Sequence, residues 1–166
     1  MNIAQTYDYL VRARRDLWST LESVPDEVLS RPLLKGERFR CIKDLVFHTA
    51  AVEDGWIHYT IVCDEPVENS FPALKGTEDA SSVALPMLLD YWRAVEQSTL
   101  NYFATLTDED LKRLVDDSPT ERYTLDGLLW HVMIHEIRHT AQIAVLLRTQ
   151  GIKPPSLDLL FYLPNQ

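Results

Sequence analysis

His131-Val132-Met133-Ile134-His135-Glu136-Ile137-Arg138-His139-Thr140-Ala141-Gln142 carries three of the chain's five histidines, each four residues from the next. On an α-helix a step of four residues turns about 400°, so the three imidazoles stack on one face with about 40° of drift per step. The flanking sequence continues the helical pattern. Thr124 is a natural N-cap, Ile143, Val145, Leu146 and Leu147 extend the apolar positions, and Gly151 followed by Pro154-Pro155 stops the run. The spacing predicts one long helix from about Leu125 to Gln150.

Three more long helices precede it. Residues 2–22 place Ile3, Tyr7, Leu10, Val11, Leu17, Trp18 and Leu21 at helical spacing, with Arg12, Arg14, Arg15 and Asp16 largely on another face. A second helix is expected over Ile42–Val62, and a third over Ser82–Leu106 with Pro86 in its first turn, where its missing N–H costs nothing. Single helical turns are expected at 26–30 and, capped by Thr107, at 108–114. Residues 115–123 read as polar and irregular around Pro119, and no segment shows strand alternation. The tail Ser156–Leu163 is apolar enough to pack back on the helices. The expectation is an all-α four-helix bundle in a single domain spanning 1–166. The connection over 63–80, with Pro66, Pro72 and Gly76, is long enough to act as a crossover between the second and third long helices.

Composition narrows the function classes. Hydrophobic residues at 46% and charged residues at 25% place the chain among globular proteins. A net charge of −9 argues against a broad basic surface for nucleic acid or anionic lipid. No run has the length or apolarity of a membrane span, and Met1–Asp16 lacks the apolar core of a secretory signal. Cys41 and Cys63 are far apart and form no C-x-x-C pair, which points to a reducing cytoplasmic setting and to no Cys-based zinc site.

Two imidazoles four residues apart on a helix converge on one point and make a platform for a divalent first-row metal. His135 and His139 flank the apolar middle of the last helix and are taken as that pair. The third ligand must come from elsewhere. His48 lies mid-helix among small and apolar residues and is the expected partner, with His58 as the other candidate. Three histidines leave coordination positions open for water or substrate. His131 then stacks one turn away, as an outer-shell hydrogen bonder, a substrate contact or a half-buried core histidine. Asp44, on the His48 face, is expected to orient His48, and Gln142 to support His139. Gly55 and Tyr59 share the His48 face, with Gly55 leaving room for substrate and Tyr59 lining the pocket. His131 and Tyr59 are the candidate catalytic side chains. No organic cofactor is expected.

His135-Glu136-Ile137-Arg138-His139 also spells H-E-x-x-H, in which the Glu of zinc proteases acts as general base. That reading is set aside, because no third ligand follows and no strand is expected to align a peptide. Glu136 is expected to point away from the metal-facing side. Glu136-x-x-His139 also matches half of a di-iron site, but the second E-x-x-H is missing.

Two blocks carry a resemblance over almost the whole chain. They are His48-Thr49-Ala50-Ala51-Val52-Glu53-Asp54-Gly55-Trp56 and H-x-x-x-H-x-x-x-H-x-x-Q from His131 to Gln142, followed by Leu147-Arg148-Thr149-Gln150-Gly151-Ile152-Lys153-Pro154-Pro155. With these blocks the chain resembles the DinB/YfiT-like family of metal-dependent enzymes. The resemblance implies an up-down-down-up bundle, a nickel or zinc ion on His48, His135 and His139, and a homodimer. It also implies a reaction such as thiol S-transfer from a low-molecular-weight, bacillithiol-type thiol to an electrophilic substrate. Many relatives read His-Arg-Gly-Gln where this chain has His139-Thr140-Ala141-Gln142. An anion contact made from the arginine position is therefore not expected here. The alternative is a non-catalytic dimeric stress-response or binding module with a structural or relic metal site. The cationic connector of Arg31, Lys35, Arg38 and Arg40 is either a solvated loop or a contact for an acidic substrate.

Overall fold

The computed structural model describes residues 1–36 and 38–163. Helix α1 runs over Ile3–Glu22 and starts where Asn2 and Gln5 cap each other reciprocally. A short α2 spans Asp26–Leu29. Helix α3 spans Ile42–Asp54 and α4 spans Leu85–Phe103. Helix α5 spans Leu125–Thr149, with the Thr124 hydroxyl accepting the Gly127 N–H at 3.2 Å. The tail folds back as expected: Tyr162 is buried, and its hydroxyl donates to Asp16 at 2.6 Å.

The second long helix differs from the single α-helix its spacing predicts. From Gly55 to Val62 it continues as a π-helix, ending at Cys63 in the left-handed region (φ 59°). The change falls where Asp54 gathers four hydrogen bonds. These come from His58 Nδ1 (2.7 Å), the backbone N–H groups of Val67 and Glu68 (2.9 Å each) and the Tyr91 hydroxyl (2.8 Å). A π turn is wider and rotates the chain less per residue, so every side chain beyond Gly55 leaves its α-helical bearing.

The purely helical expectation also needs correction. Leu114–Ser118 (β1) and Glu121–Thr124 (β2) form an antiparallel hairpin that leads into α5. Strand β2 is exposed throughout, and only Val115 of β1 is buried. With no apolar face to bury, the hairpin shows no alternation for a sequence reading to find. Asp116 and Arg122 sit opposite each other and pair at 2.5 Å. The helical turn expected after Thr107 shrinks to a 3-10 turn at Asp110–Lys112.

Helices α1 and α3 each pack against both α4 and α5. The core forms two apolar clusters. One holds Leu17, Trp18, Leu45, Val46, Leu88, Trp92, Ile143 and Leu147, and the other holds Tyr7, Leu10, Ile57, Ile61, Leu125, Leu129 and Met133. The change from one cluster to the other falls near Arg14 on α1, Glu53 on α3, Glu96 on α4 and Glu136 on α5. All four are buried. Arg14 thus corrects the expectation that it shares a face with the solvated arginines.

Candidate metal centre

Helix α3 supplies His48 and α5 supplies His135 and His139. One imidazole nitrogen from each lies within 4.8 Å of the other two. The Nε2 atoms of His48 and His135 are 3.1 Å apart. The three rings stand edge to face, with centroids 4.3 to 4.9 Å apart. Two imidazole nitrogens each about 2.0–2.1 Å from one ion lie a little over 3 Å apart, so the donor set fits a divalent metal with small ring adjustments.

Electrostatics favours the ligating form. Burial pushes the His48 pKa down to about 4, with His139 and Arg38 adding to it. Burial likewise pushes His135 down to about 3, aided by His139 and His48. His139 is also lowered by burial, against the opposing effect of its hydrogen bond to Gln142. The downward shifts favour the neutral, lone-pair-bearing form of all three imidazoles.

The surroundings orient them. His139 Nδ1–H donates to Gln142 Oε1 at 2.6 Å, which fixes the orientation of the ring. Phe39 stacks on His48 with centroids 4.1 Å apart and meets His139 edge-on at 6.1 Å. Phe39 also separates two clefts. One, of about 450 Å³, is lined by His48, Arg38, Phe47, Thr77 and Glu78. The other, of about 460 Å³, is lined by His139, Gln142, Leu34 and Val145 and is the more apolar. His48 and His139 therefore each line a cleft, one on either side of Phe39.

The other expected site residues differ in placement. Asp44 lines the His48 cleft, but its carboxylate is engaged by backbone rather than by His48. That carboxylate accepts the backbone N–H groups of Arg40, Cys41 and Ala80, at 2.9 to 3.0 Å, and so caps α3. Tyr59 is 67% exposed, lies in the π-helical stretch and lines neither cleft. His131 is exposed and rests its ring against Trp56 at 5.5 Å, outside the three-nitrogen cluster. His58 is bound to Asp54. Of the connector arginines, Arg40 pairs with Asp79 and Arg31 with Gln150, while Arg38 reaches the His48 cleft. Phe39, Thr77 and Glu78 were not foreseen. They come from the connectors before α3 and before α4, where no periodicity marks a side chain.

Glu136 faces away from the histidines and binds Arg14 at 2.5 and 2.6 Å. It is buried in that ion pair, so it cannot serve as the base that H-E-x-x-H spelling calls for.

A mostly helical fold that gathers three imidazoles from two of its helices defines a helical protein with a candidate metal centre. The sequence profile of the DinB family matches residues 1–166, and the chain belongs to that family. None of the curated proteins matches it in sequence. Among solved structures it is similar to a conserved protein from Enterococcus faecalis, at 19% identity and TM-score 0.74, over 89% of this chain and 96% of that one. It is also similar to a DinB-like protein from Bacillus cereus ATCC 10987, at 16% identity and TM-score 0.59, over 93% and 94% of the two chains. Among the described residues no helix is long and apolar enough to cross a membrane.

Proposed function

We propose that this chain is a metal-dependent enzyme holding one divalent ion, nickel or zinc, on His48, His135 and His139. The carrying observation is the convergence of three neutral imidazole nitrogens within 4.8 Å, beside two clefts. A divalent ion there supplies a Lewis acid that lowers the pKa of a thiol or water. The reaction that fits the family resemblance is S-transfer. A thiol loses its proton to solvent, its sulfur bonds to an electrophilic carbon, and the leaving group departs with the bonding pair.

The protein's own part is positional. Gln142 fixes the His139 ring, Phe39 walls the histidines off from bulk water on one side, and Arg38 puts a cation at the mouth of the His48 cleft. We read the chain as one domain and the long helices as an up-down-down-up bundle. In support, α1 and α5 run from the second apolar cluster to the first, and α3 and α4 run the other way. The proposal includes a cytoplasmic homodimer acting on small molecules.

A second reading is a non-catalytic binding or stress-response module in which the metal only fastens α3 to α5. It is favoured by the position of Tyr59 and His131, the two candidate catalytic side chains, outside the histidine cluster. One experiment separates the readings. Protein purified without a His tag is reconstituted, its metal content measured, and consumption of a panel of low-molecular-weight thiols followed with an aryl halide. About one equivalent of metal and turnover abolished by His48→Ala support the enzyme. Metal binding that raises the melting temperature without any turnover supports the module. Less than about one-tenth equivalent after reconstitution overturns both.

A further inference from the structure

Arg14 is 1% exposed, and each of its five N–H groups has an acceptor. Nε and Nη2 form a fork on Glu136 of α5 at 2.6 and 2.5 Å. Nη2 also donates to Glu53 of α3 at 2.6 Å. Nη1 reaches Glu96 of α4 and the Tyr7 hydroxyl on α1, each at 3.2 Å. Tyr7 donates in turn to Glu53 at 2.5 Å, and the exposed Arg15 takes the other oxygen of Glu96. One guanidinium thereby joins all four long helices at the level where the two apolar clusters meet.

Burying this much charge is an inefficient way to gain stability, since apolar side chains of similar volume often do as well or better. What a guanidinium fork adds is geometry, because it accepts few arrangements of its carboxylates. Its shortest contacts are to α3 and α5, the two helices that carry the histidines. Glu136 adjoins His135 and lies three residues before His139. Glu53 follows His48 by five residues, about 7.5 Å along the helix axis. The clamp and the histidines therefore sit at neighbouring levels of the same helix pair, without touching.

We propose that Arg14 is a positioning residue for the three-histidine site: by holding Glu53 and Glu136 on one guanidinium it sets the separation of α3 and α5, and with it the gap between His48 and His135. Its functional weight rests on the metal-site reading above. Lysine cannot replace it, because an ammonium has three donors on one nitrogen and no planar fork.

Two variants test this. Arg14→Lys keeps the charge and loses the fork. The combined variant Tyr7→Phe, Arg14→Met, Glu53→Met, Glu136→Met removes the cluster without stranding a buried charge, and Glu96 retains Arg15. Metal-free crystal structures read the gap, and Co²⁺ titration followed by visible absorption reads the site. The combined variant is expected to fold with a melting temperature near or above that of the parent. Its Nε2–Nε2 gap widens, its Co²⁺ bands change, and its Co²⁺ Kd weakens by about tenfold or more, the cost typical of losing outer-shell support. Arg14→Lys falls between, and it carries the comparison alone if the combined variant does not fold. A folded variant with the parent's gap, bands and Kd overturns the inference. If the parent itself binds no Co²⁺, the metal reading fails separately. The gap then decides: widening sustains the clamp and an unchanged gap overturns it.

Discussion

The Nε2 atoms of His48 and His135 approach to 3.1 Å, although the residues are 87 positions apart in the chain and belong to different helices. Two neutral imidazoles that close share either one proton or one metal ion. If they share a metal, His48→Ala removes the only ligand from α3. Its metal affinity should fall by more than the roughly 10–100-fold that loss of an outer-shell partner costs. Calorimetric titration with Ni²⁺ or Zn²⁺ measures this. An unchanged Kd would remove His48 from the site.

Gln142 holds His139 through a single hydrogen bond and is otherwise exposed. Gln142→Leu should therefore weaken metal binding by about 10–100-fold. It should leave the metal-free melting temperature almost unmoved, as exposed substitutions do. A large loss of stability with intact affinity would contradict this account of the bond.

Glu136 is the acid of the H-E-x-x-H spelling, yet it lies buried on Arg14. Burial raises its carboxyl pKa, against the downward pull of Arg14. Glu136→Ala leaves the guanidinium without its fork and should destabilise the protein by about 3–5 kcal/mol. Urea unfolding of the metal-free protein gives the value. A stable Glu136→Ala variant that has lost only a hydrolytic activity would restore the protease reading.

Asp54 links the pH dependence to the fold. Burial pushes its carboxyl up, but hydrogen bonds from His58, Val67, Glu68 and Tyr91 together hold it below the usual carboxylate value of 3.8. The unfolded state then binds the proton more readily, so the contribution of Asp54 is complete above that ordinary value. It is lost as the pH falls through the lower folded value. At neutral pH, Asp54→Asn should cost about 1–3 kcal/mol. The difference from the parent should narrow below about pH 4. Denaturation midpoints of both proteins between pH 7 and pH 3 check the sign, and a difference that grows towards acid would refute it.

Some of what was missed had a signal in the sequence. Tyr7, Arg14 and Leu21 fall at seven-residue intervals on α1, so Arg14 lies within the apolar stripe rather than opposite it. A lone cation in a buried stripe demands carboxylates from facing helices, and Glu53, Glu96 and Glu136 supply them. The displacement of Tyr59 had no such signal. Gly55–Val62 is as apolar as an α-helix would be, and its π geometry depends on where Asp54 finds its partners.

What the chain itself determined is local and periodic. The long helices, the caps at Asn2 and Thr124, the stop at Gly151 and the stacking of His135 over His139 all follow from spacing and backbone preference within a few turns. Which side chains meet across helices was decided only in three dimensions. The packing of α3 against α5 brings His48 to His135, and the connector before α3 lays Phe39 across the imidazoles. Such contacts depend on helix separation and rotation, which are set by the summed fit of the core and by the Arg14 cluster, and no short stretch of sequence encodes them.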